Sequence, residues 1–215
     1  MSNTNPIEDL AEIRKMMEGS SKFLSLSGLS GIFAGLTALA GAGIAYALIE
    51  DFAVKSRHYF FLSEGVGSQK LMELEFKLML LAAAVLGLAI GFGLLFTYLK
   101  AKKNKQKLFN PVSFRMLRSL MVPLLMGGLF VLGLYYHGAY GLIAPATLIF
   151  YGMALLNASK YVQVELKYLA LLEMILGVIG VFAIGWGLII WAVGFGVLHI
   201  VYGIIMWFKY DRKGA

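Results

Sequence analysis

The chain has 215 residues, of which 60% are hydrophobic and 14% charged, and it carries a formal net charge of +7. Its mean hydropathy is +0.78, and a soluble domain of this size cannot bury so much apolar sequence in one core, so part of it must face lipid. Cysteine is absent, which excludes disulfides, thiolate nucleophiles and cysteine-ligated metal clusters.

Residues 1–22 are predicted to form a short amphipathic helix on the cytoplasmic side. Asn5 can cap this helix and Pro6 suits its first turn. Four apolar side chains then follow on one face at helical spacing: Ile7, Leu10, Ile13 and Met17. This face first suits packing on the bilayer surface or on the protein's own cytoplasmic ends, and the alternative is a docking surface for a cytoplasmic protein partner.

Residues 23–210 predict an all-α membrane domain of six transmembrane helices, followed by a basic cytoplasmic tail at 211–215. A bilayer core of roughly 30 Å requires about 20 apolar helical residues for each crossing. Six runs meet this requirement, at about 24–49, 78–98, 117–136, 142–157, 168–184 and 188–208. The sequence GWG at 185–187 predicts a tight turn between the last two spans.

A basic loop between spans two and three sets the orientation. By the positive-inside rule this loop is cytoplasmic, which places both termini in the cytoplasm and the chain in a bacterial inner membrane. Its lysines are candidate contacts for anionic lipid: Lys100, Lys102, Lys103, Lys105 and Lys107. Membrane topology alone also accounts for such a loop. No aromatic residues are interleaved with these lysines, so direct nucleic-acid binding is not expected.

Internal similarity suggests three successive helical hairpins related as parallel repeats. A shift of 51 residues aligns LIFYG at 148–152 with HIVYG at 199–203, and it aligns span three with span five. A second match joins AIGFGLL at 89–95 to AVGFGVL at 192–198, on spans two and six. Each hairpin would then begin and end on the cytoplasmic side.

The most unusual residue of the membrane domain is Glu173, which lies inside the apolar run of span five. A turn centred on Trp186 would place Glu173 level with His199, with Tyr202 on the same face and Tyr151 as its neighbour from the repeat. A charged group within a span is costly, so these four residues are predicted to form a polar cluster that can share one proton. Such a cluster indicates either a proton-linked or cation-linked site, or a buried hydrogen bond that fixes helix packing.

Enzymatic function is not expected, and no cofactor or metal is predicted. The three histidines are split between the outer side, at His58 and His137, and the deep position of His199, so they do not converge on a metal. The two outer histidines are better explained as interfacial residues than as haem ligands. The chain contains no GxSxG, HExxH or phosphate-binding loop.

The stretch IEDLAEIRKMMEGSSKFLSLSGLSGIFAGLTALAGA at 7–42 resembles a family of bacterial six-span integral membrane proteins of uncharacterised function. Some of these proteins are encoded beside a small winged-helix transcription regulator, so the resemblance implies at most a signalling or regulatory role. We therefore expect a non-enzymatic regulatory or sensing component of the inner membrane. The alternative is a small proton-coupled transporter, or a protein that binds lipophilic ligands, built around Glu173 and His199.

Overall fold

A computed structural model describes residues 27–59, 66–104 and 111–212. Within these ranges the chain is helical and contains no strand. Six helices follow one another: α1 Gly28–Tyr59, α2 Val66–Lys103, α3 Pro111–Tyr136, α4 Ile143–Ala158, α5 Glu165–Phe182 and α6 Gly187–Asp211. The predicted amino-terminal helix at 1–22, with Ile7, Leu10, Ile13 and Met17, lies outside the described residues.

Five of the helices are long and apolar enough to cross a membrane. The crossing segments are Gly28–Ala53, Gln69–Lys103, Pro111–Tyr136, Tyr140–Tyr161 and Gly187–Asp211. Short 3-10 turns at Tyr140–Leu142 and Ser159–Tyr161 extend α4 to the length that a crossing needs. The sixth helix, α5, has 18 residues, but three of them are charged: Glu165, Lys167 and Glu173. The protein is therefore an all-helical membrane protein with five or six spanning helices.

The first two helices are longer than predicted. α1 has 32 residues and α2 has 38, which correspond to about 48 and 57 Å at the usual rise of an α-helix. A bilayer core is only about 30 Å thick. Both helices therefore continue beyond it into the region at 50–77, which separates the first two predicted spans. Hydropathy locates the part of a helix that lies in lipid, and it does not detect a helix that continues into water.

The helices pack as a group of four with two outer helices. α4 packs closely on α5, and α1 packs closely on α6, while α6 also contacts α4 and α5. α2 packs mainly on α1, and α3 packs mainly on α4. Large apolar side chains along α2 and α3 are exposed, including Leu94 and Leu129. These surfaces suit contact with lipid tails.

Small residues permit the two closest helix contacts. A side chain at Gly177 of α5 would lie 2.9 Å from the carbonyl oxygen of Pro145 in α4, and one at Gly203 of α6 would lie 2.6 Å from the carbonyl oxygen of Gly28 in α1. Backbones that approach this closely leave no space for a Cβ atom. Dispersion contacts of this kind hold helices together in lipid, where the hydrophobic effect does not.

Candidate functional site

The site lies where α4, α5 and α6 meet, and an irregular part of α6 helps to form it. Residues Ala192–Leu198 of α6 form a π-helical stretch, and His199 follows it directly. A π-helix forms i→i+5 hydrogen bonds, is rare, and frequently occurs at functional sites. Its wider turns hold more residues over the same rise, so Gly194 and His199 both lie near the level of Glu173 on α5.

Glu173 and His199 face each other inside the bundle. The His199 Nδ1 atom lies 3.3 Å from Glu173 Oε1, and the two side chains are 8% and 0% exposed respectively. This distance fits an ion pair, but neither carboxyl oxygen of Glu173 makes a hydrogen bond of good geometry to any described residue. The carboxyl group therefore depends on the imidazole as its polar neighbour.

Gly194 provides the space that the carboxyl group occupies. A Cβ atom at this position would lie 2.6 Å from Glu173 Oε2 and 2.5 Å from Leu148 Cδ2. Both distances are far below van der Waals contact. A glycine in the π-helical stretch is thus required for Glu173 to fit between α4 and α6.

The contacts of His199 assign its protons. Its Nδ1 atom lies 3.1 Å from the carbonyl oxygen of Gly194, and its Nε2 atom lies 2.8 Å from the Tyr151 hydroxyl. A carbonyl oxygen can only accept, so Nδ1 carries a proton and donates it. In a neutral ring the Tyr151 hydroxyl then donates to Nε2, and in a protonated ring Nε2 donates to Tyr151 instead. The tyrosine can serve both protonation states by rotating its hydroxyl.

Aromatic rings shield one side of this arrangement. The Phe195 ring stacks on His199 with centroids 5.9 Å apart, and it contacts Tyr151 at 4.9 Å. Trp191 continues the row, with its ring centroid 5.0 Å from that of Phe195. The row keeps the imidazole in apolar surroundings and connects it to a tryptophan.

The structure brings three of the four predicted cluster residues into direct contact and places the fourth beside them. Glu173, His199 and Tyr151 form the contacts above. Tyr202, one turn after His199 on α6, is 8% exposed and packs with apolar residues such as Leu169 and Met206. Its hydroxyl makes no hydrogen bond to any residue that the structure describes.

The lysines predicted to contact lipid have different surroundings. Lys100 forms an ion pair with Asp211, with Nζ and Oδ1 2.7 Å apart and only 12% and 13% of the side chains exposed. Lys102 and Lys103 are exposed, while Lys105 and Lys107 lie outside the described residues. A role in lipid contact is therefore compatible with the exposed pair, whereas Lys100 is engaged within the bundle.

Sequence analysis missed the junction that Lys100 helps to form. Asp211 Oδ2 accepts hydrogen bonds from the backbone N–H of Gly28, at 2.8 Å, and from the Ser27 hydroxyl, at 3.2 Å. We call Ser27, Gly28, Lys100 and Asp211 the Asp211 junction. It ties the start of α1 to the ends of α2 and α6. No local pattern indicates a contact between residues 183 positions apart.

A second polar group at the same end was also missed. Glu165, at the start of α5, accepts hydrogen bonds from Lys209 and from the Tyr210 hydroxyl, the latter at 3.1 Å. We call the end of the bundle that holds this group and the Asp211 junction the basic end. The opposite end contains a Tyr135 hydroxyl that donates to Glu75 across 3.1 Å. The buried pair thus lies between two polar ends.

The arrangement can hold a proton more readily than a metal. Among the described residues, no group of three or more histidine, aspartate or glutamate side chains is placed to bind a metal ion. Glu173 and His199 together can carry one proton with no net charge, as a neutral acid beside a neutral ring or as a carboxylate beside an imidazolium. Nδ1 carries a proton in both forms, so the forms differ in whether the additional proton lies on the Glu173 carboxyl group or on His199 Nε2.

No protein-family model, curated protein or solved structure matches the chain. The class of protein is therefore defined by its fold and by the buried Glu173–His199 pair. The chain is a multi-pass α-helical membrane protein whose interior contains a paired acid and base.

Proposed function

We propose that the protein is a non-enzymatic sensing or regulatory component of the membrane, in which the Glu173–His199 pair binds one proton. The observation that carries the proposal is a fully buried carboxyl group whose only ionisable neighbour within ion-pair distance, among the described residues, is an imidazole. A carboxylate left alone in such surroundings costs several kcal/mol. The pair avoids this cost only while it holds the shared proton.

The position of the pair links this proton to helix packing. Glu173 belongs to α5, His199 and Gly194 to α6, and Tyr151 to α4. Loss of the proton would leave one net charge among three tightly packed helices. Because Gly194 leaves no spare space beside the carboxyl group, the helices must separate to hydrate that charge. A change in protonation therefore favours a different packing of α4, α5 and α6.

The basic end offers a route from this packing change to a partner. α6 carries both His199 and Asp211, and Asp211 holds the start of α1. The segment at 1–26 precedes that start, and it includes the predicted docking face of Ile7, Leu10, Ile13 and Met17. A shift of α6 would change how this segment leaves the bundle. We propose that a cytoplasmic protein partner detects this change.

The finer topology is part of the same proposal. Three successive hairpins, with both termini in the cytoplasm of a bacterial cell, would place the basic end at the inner face of the membrane. The packing of α1 on α2 and of α3 on α4 supports the hairpin description. The positively charged residues at this end support the orientation.

A small proton-coupled transporter is the second candidate. The π-helical stretch beside the pair favours it, because transporters place irregular helical segments at the ion sites in their interiors. Transport requires a second conformation in which water reaches Glu173, whose side chain is fully buried in this structure. Sensing requires only that the packing responds to the proton.

Infrared difference spectroscopy of the full-length protein in lipid nanodiscs tests the proposal. A pH step should produce a carboxyl band that is lost in Glu173→Gln and shifted in His199→Gln. The matched control is Glu75→Gln, which removes a carboxyl at the opposite end and should leave the band unchanged. A band that persists in Glu173→Gln would refute proton binding at the pair. Proton flux in vesicles that disappears in Glu173→Gln would favour the transporter.

A further inference from the structure

Tyr202 is a polar side chain that the buried pair does not use. Its hydroxyl is buried and has no hydrogen-bond partner among the described residues, although a tyrosine hydroxyl in apolar surroundings normally has one. A phenylalanine would fill the same space without stranding a polar atom. The hydroxyl at this position therefore requires an explanation beyond packing.

The surroundings of Tyr202 place it between two polar groups. Tyr151 and Tyr210 both pack against the same apolar cluster as Tyr202. Tyr151 contacts His199, while Tyr210 contacts Glu165 at the basic end. Along α6, Tyr202 lies about one turn after His199 and about two turns before Tyr210. Among the described residues, it is thus a polar residue between the buried pair and the basic end.

We infer that Tyr202 relays protons between the Glu173–His199 pair and the basic end, where Tyr210 and Glu165 exchange them with water. This inference rests on the proposed function. The hydroxyl of Tyr202 donates its proton to one neighbour while it accepts a proton from the other, directly or through a bridging water. The phenol is restored by each transfer, so the step balances without a further reactant.

Other elements place apolar residues against this route. From α3, the apolar residues packed against the cluster are Val112, Met116 and Leu120. From α1, Gly28, Gly31 and Ile32 approach this part of α6. At the basic end, Lys209 contacts Glu165, and Lys100 is paired with Asp211. Tyr210 packs against the cluster, and Glu165 accepts a hydrogen bond from Tyr210, so these are the groups of the basic end that can exchange protons with Tyr202.

Stopped-flow pH jumps on full-length protein in nanodiscs test the relay. Trp191 reports the state of the pair through Phe195 once Trp186 and Trp207 are changed to phenylalanine. In Tyr202→Phe we expect the same amplitude and the same midpoint, with a rate slowed about tenfold or more, because a phenyl ring cannot pass a proton. Tyr210→Phe should slow the response in the same direction.

Tyr135→Phe is the matched control, since it removes a tyrosine hydroxyl at the opposite end. It should leave the rate unchanged. A normal rate in Tyr202→Phe with full amplitude overturns the relay and leaves the proposed function standing. A slowed rate in Tyr135→Phe together with a normal rate in Tyr202→Phe does the same. If the wild-type protein gives no response, or Glu173→Gln responds as the wild type does, the proposed function fails and the relay fails with it.

Discussion

Removing one member of the Glu173–His199 pair should destabilise the bundle much more than removing both. The pair is buried, with 3.3 Å between Nδ1 and Oε1. At an effective dielectric constant of about 20, charges at this separation attract by about 5 kcal/mol. Withdrawing the two charges from water costs several kcal/mol for each. The intact pair therefore contributes little net stability, while a single remaining member keeps its cost and loses its attraction.

These opposing quantities give expected values for a double-mutant cycle. His199→Leu and Glu173→Met should each lower the free energy of unfolding by about 3 kcal/mol, the lower end of the effect of breaking a buried pair. The remaining group can lessen its loss by changing its protonation state. With Tyr151→Phe in every member of the cycle, so that no hydroxyl loses its His199 partner, the double variant should lie within about 1 kcal/mol of its parent, because the buried polar groups are gone.

The measurement is unfolding by sodium dodecyl sulfate in mixed micelles, followed by circular dichroism. The control cycle is Glu73→Gln with Lys77→Met, since the Lys77 and Glu73 side chains are 52% and 63% exposed. An exposed pair should show a coupling energy of about 1 kcal/mol or less. The reasoning about a buried ion pair is refuted if the losses in free energy of unfolding at Glu173 and His199 are additive. The coupling energy would then be about 0.6 kcal/mol, which is typical of interhelical hydrogen bonds in membranes.

Two further substitutions test the packing and the junction. Gly194→Ala should lower the free energy of unfolding by about 1–3 kcal/mol, because its Cβ would overlap Glu173 and overpack the core. The control is Gly93→Ala, where a Cβ meets nothing within 4 Å. It should be neutral or stabilising in the same assay. Asp211→Ala should cost at least about 1–2 kcal/mol, because Gly28 loses its cap and Lys100 loses its ion-pair partner, and Asp211→Asn should cost less because it retains an acceptor for Gly28. Equal thermal stability of Asp211→Ala and wild type would contradict the second expectation.

The sequence predicted the helices well where hydropathy determines them. The observed α4 and α6 begin and end within three residues of their predicted positions, because apolar length fixes a crossing, whereas α3 begins at Pro111, six residues before its predicted start. The end of α1 and the start of α2 could not be predicted in this way, since helices in water are not marked by hydropathy. The predicted span five corresponds to α5, whose 18 residues include three charged ones, among them Glu173 inside the apolar run.

The predicted proximity of Glu173 and His199 rested on a regular hairpin with its turn centred on Trp186, and the structure differs from that geometry in two respects. The turn lies at 183–186, with Gly185 at φ +100°, rather than being centred on Trp186. A regular hairpin about this turn would place Glu173 near Gly196. The π-helical stretch compensates by holding extra residues before His199. Hydrogen-bond patterns of this kind depend on tertiary packing, as do contacts of long sequence separation such as the Asp211 junction.

The Asp211 junction also has a consequence for biosynthesis. Gly28, at the start of α1, is synthesised 183 positions before Asp211, which accepts its N–H. The start of α1 therefore remains without this cap until the end of α6 has been synthesised. Chains truncated before residue 211 should insert the preceding helices into the membrane and still leave α1 unanchored. Completion of the bundle is thus tied to synthesis of the end of α6, which would allow quality-control proteases to distinguish chains that contain Asp211 from truncated ones.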